Sequence, residues 1–196
     1  MNILVHMKRI GVYCGSSLGT NRAYENAAKE LGRIMAQRGL DLVYGGAQIG
    51  IMGAIAESVL NDAGKVYGVI PGFLDKVEIT HQGLTELHTT SDMPERKKKM
   101  YELSDGYIAL PGGIGTLEEL FEVYTWRQLN LHQKPIGILN TAGYYNHLLA
   151  HIEHAIKEDF MRIDHKDLFA VSDDPEELLQ MMSNLTSDHI ELKIER

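Results

Sequence analysis

The sequence predicts a doubly wound α/β protein, in which one mostly parallel sheet carries helices on both faces. Short apolar runs alternate with longer segments of helical apolar spacing, which is the pattern of parallel α/β units. A length of 196 residues fits a single domain with a full hydrophobic core. Three of the apolar runs end in glycine, as strands do when a tight turn or a ligand follows them.

The first half of the chain contains four predicted strands. Gly39 follows a segment of helical spacing and suits a helix C-cap, while Pro71 stops a later apolar run. The stretch from Phe73 to Thr90 is less regular, so we assign it to a loop and an edge strand. In chain order the predicted elements are strand 9–15, helix 21–39, strand, glycine turn and helix over 41–61, strand 64–72 and edge strand 84–90.

The second half continues the alternation with three more strands. Ser91 can cap the first helix, and Pro175 suits the first turn of the last one. The predicted domain spans 9–186, between an N-terminal extension at 1–8 and a polar tail at 187–196. The elements are helix 92–103, strand 106–113, a helix after the glycine turn, strand 134–140, helix 144–157, strand 167–172 and a helix after Pro175.

Composition excludes several classes of protein. The net charge of −8 argues against an electrostatic grip on nucleic acid, which relies on clustered Lys and Arg. No apolar run reaches the roughly 20 residues that cross a bilayer, so we expect no membrane association. The first ten residues hold too short an apolar stretch for a signal peptide. Cys14 is the only cysteine, which excludes an internal disulfide and predicts a cytoplasmic protein.

Three glycine-marked strand ends point to a ligand site. In a doubly wound, Rossmann-like sheet, ligands bind outside the carboxyl ends of the strands. Gly15, the pair Gly45 and Gly46, and the pair at 112–113 would face one crevice there. Ser16 offers a hydroxyl and backbone donors, and Gly45 and Gly46 leave backbone space for a base or sugar.

The segment PGGIGT at 111–116 is a candidate phosphate loop. Gly112, Gly113 and Gly115 let backbone N–H groups approach an anion, and the start of the next helix adds partial positive charge. Thr116 can cap that helix or donate to a phosphate oxygen. The pattern matches neither the Walker loop nor the dinucleotide fingerprint. A tight turn that needs glycine for its dihedral angles is the alternative interpretation.

Glu118 and Glu119 open the same helix, where acids commonly complement the helix dipole. Beside a bound phosphate, however, two negative groups are tolerated only if cations lie between them or if they act on different parts of one ligand. A nucleotide offers such parts, with its phosphate at the glycines and its sugar carbon at a carboxylate. The run from Arg96 to Lys99 precedes the strand that leads to this loop and supplies the cations, with Arg96 and Lys99 on one helical face, although such a run is usually a solvated surface.

Other reactive side chains are assigned structural places. Cys14 precedes its turn without an evident histidine partner, which favours an inert buried thiol over a nucleophile. His147, His151 and His154 share a helical spacing but lack a clear further ligand, which favours an amphipathic helix surface over a metal site. We therefore expect neither a metal nor a cofactor.

These residues together resemble the cytokinin-activating phosphoribohydrolases called Lonely Guy, long labelled possible lysine decarboxylases. The family signature Pro-Gly-Gly-x-Gly-Thr-x-x-Glu matches Pro111 through Glu119, and Met-x-x-Arg-Lys matches Met93, Arg96 and Lys97. The resemblance extends over about residues 9–180. Ala47 and Asn130 stand where the family frequently has glycine, which affects local turns and not the expected catalytic positions.

The resemblance implies hydrolysis of the N-glycosidic bond of a nucleoside 5′-monophosphate, AMP or its N6-substituted cytokinin forms. Arg96 and Glu119 would be the catalytic pair. The loop residues Gly112, Gly113, Gly115 and Thr116 would bind phosphate, Lys97 would assist binding, and Glu118 would support the helix dipole or contact the sugar. A homodimer is also implied, and the helix with Tyr124, Trp126 and Leu129 is our candidate interface.

Two rival functions remain open. Lysine decarboxylation would require pyridoxal phosphate on a lysine, which suits a nucleotide-like glycine loop in so short a chain poorly. A nucleotide or molybdenum-cofactor carrier of the same fold would bind without hydrolysis, because fold alone does not settle function. The joint presence of Arg96 and Glu119 favours the hydrolase.

Overall fold

A computed structural model describes residues 7–74 and 80–185 and confirms the predicted fold class. Seven strands form one sheet in the order β4-β3-β2-β1-β5-β6-β7, and every neighbouring pair is parallel. The strands are β1 (Arg9–Tyr13), β2 (Asp41–Tyr44), β3 (Val66–Pro71), β4 (Glu86–Thr90), β5 (Gly106–Ala109), β6 (Ile136–Leu139) and β7 (Ala170–Ser172). The helices are α1 (Arg22–Gln37), α2 (Gly50–Asn61), α3 (Met93–Leu103), α4 (Ile114–Gln128), α5 (Asn146–Lys157) and α6 (Pro175–Leu185).

Two hydrophobic cores lie on opposite faces of the sheet. Ile10 and Val12 of β1 pack in the core that includes buried residues of α1, α2 and α6. Tyr13, on the other face of the same strand, packs in the core with α3, α4 and α5. Because successive side chains of a strand point to opposite faces, each buried strand serves both cores. Helices on both faces are thereby confirmed.

The element boundaries follow local chemistry. Asn21 caps α1 by accepting from the Ala23 N–H, and Arg38 is its C-cap, while Gly39, predicted for that place, follows with φ +69° and ends the helix. Ser91 was predicted to cap α3, but Asp92 does so, because its extended backbone lets its carboxylate accept from the Glu95 N–H at 2.8 Å. Asn130 adopts φ +58°, a left-handed turn that explains why asparagine can replace glycine there.

Some sequence expectations lie outside the described residues. These are the polar tail at 187–196 and residues 1–6 of the N-terminal extension. Across 7–74 and 80–185, no helix is both long and apolar enough to cross a membrane. The expected histidine surface is observed, because His147, His151 and His154 are all exposed on α5.

Candidate active site

The candidate site lies where the direction of strand order reverses. From β1, the first half of the chain extends the sheet through β2, and the second half extends it the other way through β5. Loops that leave adjacent parallel strands in opposite directions open a crevice between them. A cavity of about 270 Å³ occupies this crevice. It is lined by Val12, Cys14, Gly15, Ser16, Gly45, Met52, Arg96, Met100, Gly113, Ile114, Gly115, Thr116 and Glu119.

The structure brings seven of the twelve predicted site residues to this cavity. They are Ser16, Gly45, Arg96, Gly113, Gly115, Thr116 and Glu119. Gly112 lies on an adjoining cavity of about 290 Å³, which shares Gly15, Ser16 and Gly113 with the first. The remaining four, Gly46, Met93, Lys97 and Glu118, line neither cavity. Their predicted contact with substrate stays a prediction.

The glycine loop keeps open space in front of the α4 N-terminus. A Cβ added to Gly113 or Gly115 would meet no atom within 4 Å, and neither residue has a positive φ. Turn geometry and packing therefore do not explain glycine at these two positions, whereas close approach of a ligand would. Gly112 differs, because its Cβ would lie 2.1 Å from the Thr116 hydroxyl oxygen. Gly112 is required for the loop to pack on the helix.

Arg96 and Glu119 meet inside the cavity from two different helices. Arg96 on α3 places a terminal guanidinium nitrogen 3.4 Å from a carboxylate oxygen of Glu119 on α4. Both side chains are only 11% exposed. The Arg96 Nε–H donates to the Val69 carbonyl within β3, at 3.1 Å, which fixes the guanidinium plane. Arg96 is thus held by the sheet, and the pair faces the cavity.

Burial raises the pKa of the Glu119 carboxyl to about 7, and Arg96 opposes the rise. The neighbouring acids Glu118 and Glu122 add to it, while Lys97 lowers it. A carboxyl that titrates near neutral pH can accept a proton in one step and release it in the next. Raised carboxyl pKa values inside a cleft are a physical mark of general acid–base sites.

Gly45 leaves the room that the Arg96 guanidinium occupies. A Cβ at position 45 would lie 2.5 Å from the Arg96 Nη2 and 2.9 Å from the Met52 sulfur. Both atoms end flexible side chains, so Gly45→Ala would displace Arg96 more than it would unfold the protein.

We predict that Gly45→Ala lowers kcat/KM for the N-glycosidic hydrolysis that the family resemblance implies by about tenfold to a hundredfold, because the guanidinium moves away from Glu119. Steady-state kinetics and thermal unfolding of the same preparation check this. Gly72→Ala is the matched control, since its Cβ would make only ordinary contacts, with the Thr89 methyl at 3.6 Å and the Thr90 carbonyl oxygen at 3.9 Å. Equal kinetics for the two variants would contradict the role given to Gly45.

Lys97 turns away from the cavity and binds two acids of α4. Its ammonium lies 2.5 Å from a carboxylate oxygen of Glu118 and 2.9 Å from one of Glu122. Residues 96 and 97 differ by about 100° around the helix, so the neighbours reach different places. Met93, one turn before Arg96, contacts the guanidinium through its sulfur at 3.9 Å. Met93 thus contacts Arg96, and Lys97 binds the acids next to Glu119, both from outside the cavity.

Sequence reasoning did not select several lining residues. Met100 lies one helical turn after Arg96, and Met52 opens α2 after the second glycine turn, so their helical register was an available signal. Ile114 is the variable position of the glycine signature and is 82% exposed.

Cys14 lines the cavity but is buried, and burial raises the pKa of its thiol well above the usual range, which agrees with an inert thiol. Among the residues described, no cluster of three metal-ligating side chains occurs.

Known proteins are similar to this chain over most of its length. The family model described as "Possible lysine decarboxylase" matches residues 52–182. Cytokinin riboside 5'-monophosphate phosphoribohydrolase LOG1 of Arabidopsis thaliana is 45% identical over 189 residues, 96% of this chain and 89% of that protein. The protein named LOG3 in the same plant is 42% identical over 182 residues, 93% of this chain and 85% of that protein.

A solved structure with lower identity supports the fold alone. The molybdenum cofactor binding protein from the phototrophic bacterium Rippkaea orientalis superposes with a TM-score of 0.70, at 20% identity, over 92% of this chain and 98% of that one. The family match and the plant relatives, by contrast, show the family of the chain. It belongs to the Lonely Guy family of phosphoribohydrolases, whose family model is described as possible lysine decarboxylase.

Proposed function

We propose that this protein hydrolyses the N-glycosidic bond of adenosine 5′-monophosphates, including N6-substituted ones, to free base and ribose 5-phosphate. The Arg96–Glu119 pair carries this proposal, because a guanidinium and a carboxyl of raised pKa share one cavity with an open glycine loop. The relatives named above are phosphoribohydrolases of cytokinin riboside 5'-monophosphate, which supports the same reaction class.

The phosphate of the substrate would bind at the start of α4. The first N–H groups of a helix lack partners within the helix, and the dipole favours an anion there. The open space at Gly113 and Gly115 lets a phosphate oxygen approach these groups. The hydroxyl of Thr116, also on the cavity wall, can donate a further hydrogen bond. Ser16 faces the same cavity from the β1 loop and adds donors there.

Glu119 would act beside the anomeric carbon of the ribose. Breaking the bond between C1′ and the base nitrogen builds positive charge on the sugar, as in glycoside hydrolysis. The Glu119 carboxylate stabilises that charge and takes a proton from the attacking water. The water oxygen bonds to C1′ while the electron pair of the broken bond and a proton go to the base. Arg96 anchors the phosphorylated sugar and holds the Glu119 carboxylate in place.

Lysine decarboxylation fits the cavity poorly. Pyridoxal phosphate forms its linkage on a lysine, whereas the residues that line the described cavity include none. Lys97, the nearest candidate in the sequence signature, is bound to Glu118 and Glu122 instead. A carrier protein of the same fold would need no buried acid–guanidinium pair at the ligand site, which makes a binding function the second candidate.

A panel of nucleoside monophosphates tests the proposal. We expect purified protein to release adenine from AMP and the free base from N6-isopentenyl-AMP, with equimolar ribose 5-phosphate, measured by chromatography. Adenosine without phosphate should be a poor substrate, because it lacks the group that the glycine loop holds. Recovery of every nucleotide unchanged would favour a carrier, and carbon dioxide from lysine would favour the decarboxylase.

A homodimer through α4 is a further part of the proposal. Ile114, Phe121 and Leu129 are exposed and lie seven and eight residues apart, so they form one apolar stripe along the helix. Of the residues first expected at an interface, Leu129 fits, Trp126 is half-buried, and Tyr124 is buried with its hydroxyl donating to the His165 carbonyl. Light scattering should give twice the chain mass, and a monomeric mass would contradict this.

We also propose a cytoplasmic location on the basis of the single, buried Cys14.

A further inference from the structure

Two consecutive tyrosines hold the strand end that leads into the glycine loop. The Tyr144 hydroxyl donates to the Gly112 carbonyl at 2.5 Å, and the Tyr145 hydroxyl donates to the Leu110 carbonyl at 2.6 Å. Neither tyrosine belongs to the family signature at 111–119. Both follow a turn after β6 in which Ala142 and Gly143 have positive φ, and the Asn140 side chain accepts from the Tyr145 N–H.

Every carbonyl oxygen from residue 110 to 113 accepts a hydrogen bond from the protein. Besides the two tyrosine bonds, the Pro111 carbonyl accepts from the Gly15 N–H at 3.1 Å. The Gly113 carbonyl accepts from the Leu117 N–H at 3.2 Å. A peptide group is planar and trans, so its C=O and N–H point in opposite directions. An anchored carbonyl therefore also fixes the direction of the following N–H.

We infer that Tyr144 is a positioning residue, which aims the Gly113 N–H at the phosphate of the substrate by holding the Gly112 carbonyl. This rests on the function proposed above and names a residue that sets phosphate affinity. The Gly112–Gly113 peptide joins two glycines and rotates easily without such an anchor. The Tyr144 ring packs edge-on against Tyr24 and Tyr145, with centroids 5.4 Å and 4.9 Å away, so its hydroxyl is held in one direction.

Tyr145 provides a matched comparison within the same segment. Its partner, the Leu110 carbonyl, belongs to the peptide that ends at the Pro111 nitrogen, which has no N–H to aim. The Tyr145 hydroxyl bond therefore stabilises the fold without directing a donor to the ligand. Tyr145 is 1% exposed, so its loss of a hydrogen bond should appear in unfolding measurements and not in phosphate binding.

The test measures ribose 5-phosphate binding by calorimetry for the parent, Tyr144→Phe and Tyr145→Phe proteins. We expect Tyr144→Phe to raise the dissociation constant about fivefold to tenfold, the usual effect of one lost hydrogen bond. The KM for AMP should rise by a similar factor with kcat nearly unchanged. Tyr145→Phe should bind as the parent does and unfold at lower temperature. If it fails to fold, Tyr24→Phe replaces it, because that variant keeps the Tyr144 bond intact.

If the dissociation constant of Tyr144→Phe for ribose 5-phosphate were within twofold of the parent value, the positioning role would be overturned. Equal weakening of ribose 5-phosphate binding in the Tyr145→Phe control would overturn it too. If the parent bound ribose 5-phosphate but released no base from any nucleotide, the proposed hydrolase function would fail. The binding comparison would still decide the role of Tyr144. If the parent bound no ribose 5-phosphate, both inferences would be overturned.

Discussion

Replacing Glu119 by glutamine should slow base release from AMP by about a thousandfold, the usual loss when a positioned general base or charge-stabilising group is removed. Glutamine keeps the shape of the side chain and its contact with the Arg96 guanidinium, which lies 3.4 Å from the carboxylate. It carries no charge to offset the cation that develops on the ribose, and it takes no proton from water. The loss should therefore appear in kcat, with KM little changed.

The neighbouring acid supplies the control for this experiment. Glu118 precedes Glu119 in the chain but pairs with Lys97 outside the cavity. Glu118→Gln removes the same charge one residue away, so its kcat at pH 8 should stay within about threefold of the parent. Chromatographic measurement of adenine under saturating AMP compares the three proteins. Near-parental release by Glu119→Gln, or an equal loss in both variants, would refute the assignment of Glu119.

The sequence was sufficient for the fold because its central strands are nearly continuous apolar runs. Each of the seven predicted runs contains an observed strand, since central parallel strands are buried on both faces. The predicted bounds ran too long where a glycine follows, as at Gly15, because strand pairing stops before the turn that opens toward the crevice. The glycines in the sequence thus indicated where the strands end at the crevice, in addition to the strands themselves.

The arrangement around Arg96 and Glu119 depends on the directions of their side chains, which the sequence leaves open. Arg96 and Lys97 are adjacent cations, yet one enters the cavity and the other pairs with α4. That outcome follows from how α3 rotates against the sheet, which long-range packing decides. Tyr144 lies 32 residues after the loop that it contacts, so no local pattern predicts their meeting. Contacts of this kind require the tertiary structure.

The second large effect concerns pH. Because the pKa of Glu119 is raised to about 7, chiefly by burial, its carboxylate form is depleted as pH falls below 7. The kcat/KM for AMP should therefore drop about tenfold per pH unit below that point, when Glu119 acts as the base. The second ionisation of a phosphate monoester, near pH 6, adds a separate slope at lower pH. Glu118 contributes to raising the pKa, so Glu118→Gln should move the acidic limb to lower pH. A flat profile between pH 5.5 and 8 would exclude Glu119 as the base.

The same ionisation predicts a stability cost. A carboxyl whose pKa is higher in the folded state contributes stability that is present below its unfolded pKa and lost as pH rises through the folded value. For Glu119 this window runs from its ordinary value of 4.5 to about 7, and a shift of that size corresponds to about 3 kcal/mol. Glu119→Gln lacks this ionisation. As the pH rises from 4.5 to 8, its free energy of unfolding should therefore increase relative to that of the parent by up to this amount. Urea unfolding across this range tests the prediction, and a constant difference between the two proteins would contradict it. A gain in stability in a variant that has lost activity would show that burial raises the Glu119 pKa for catalysis at the expense of the fold.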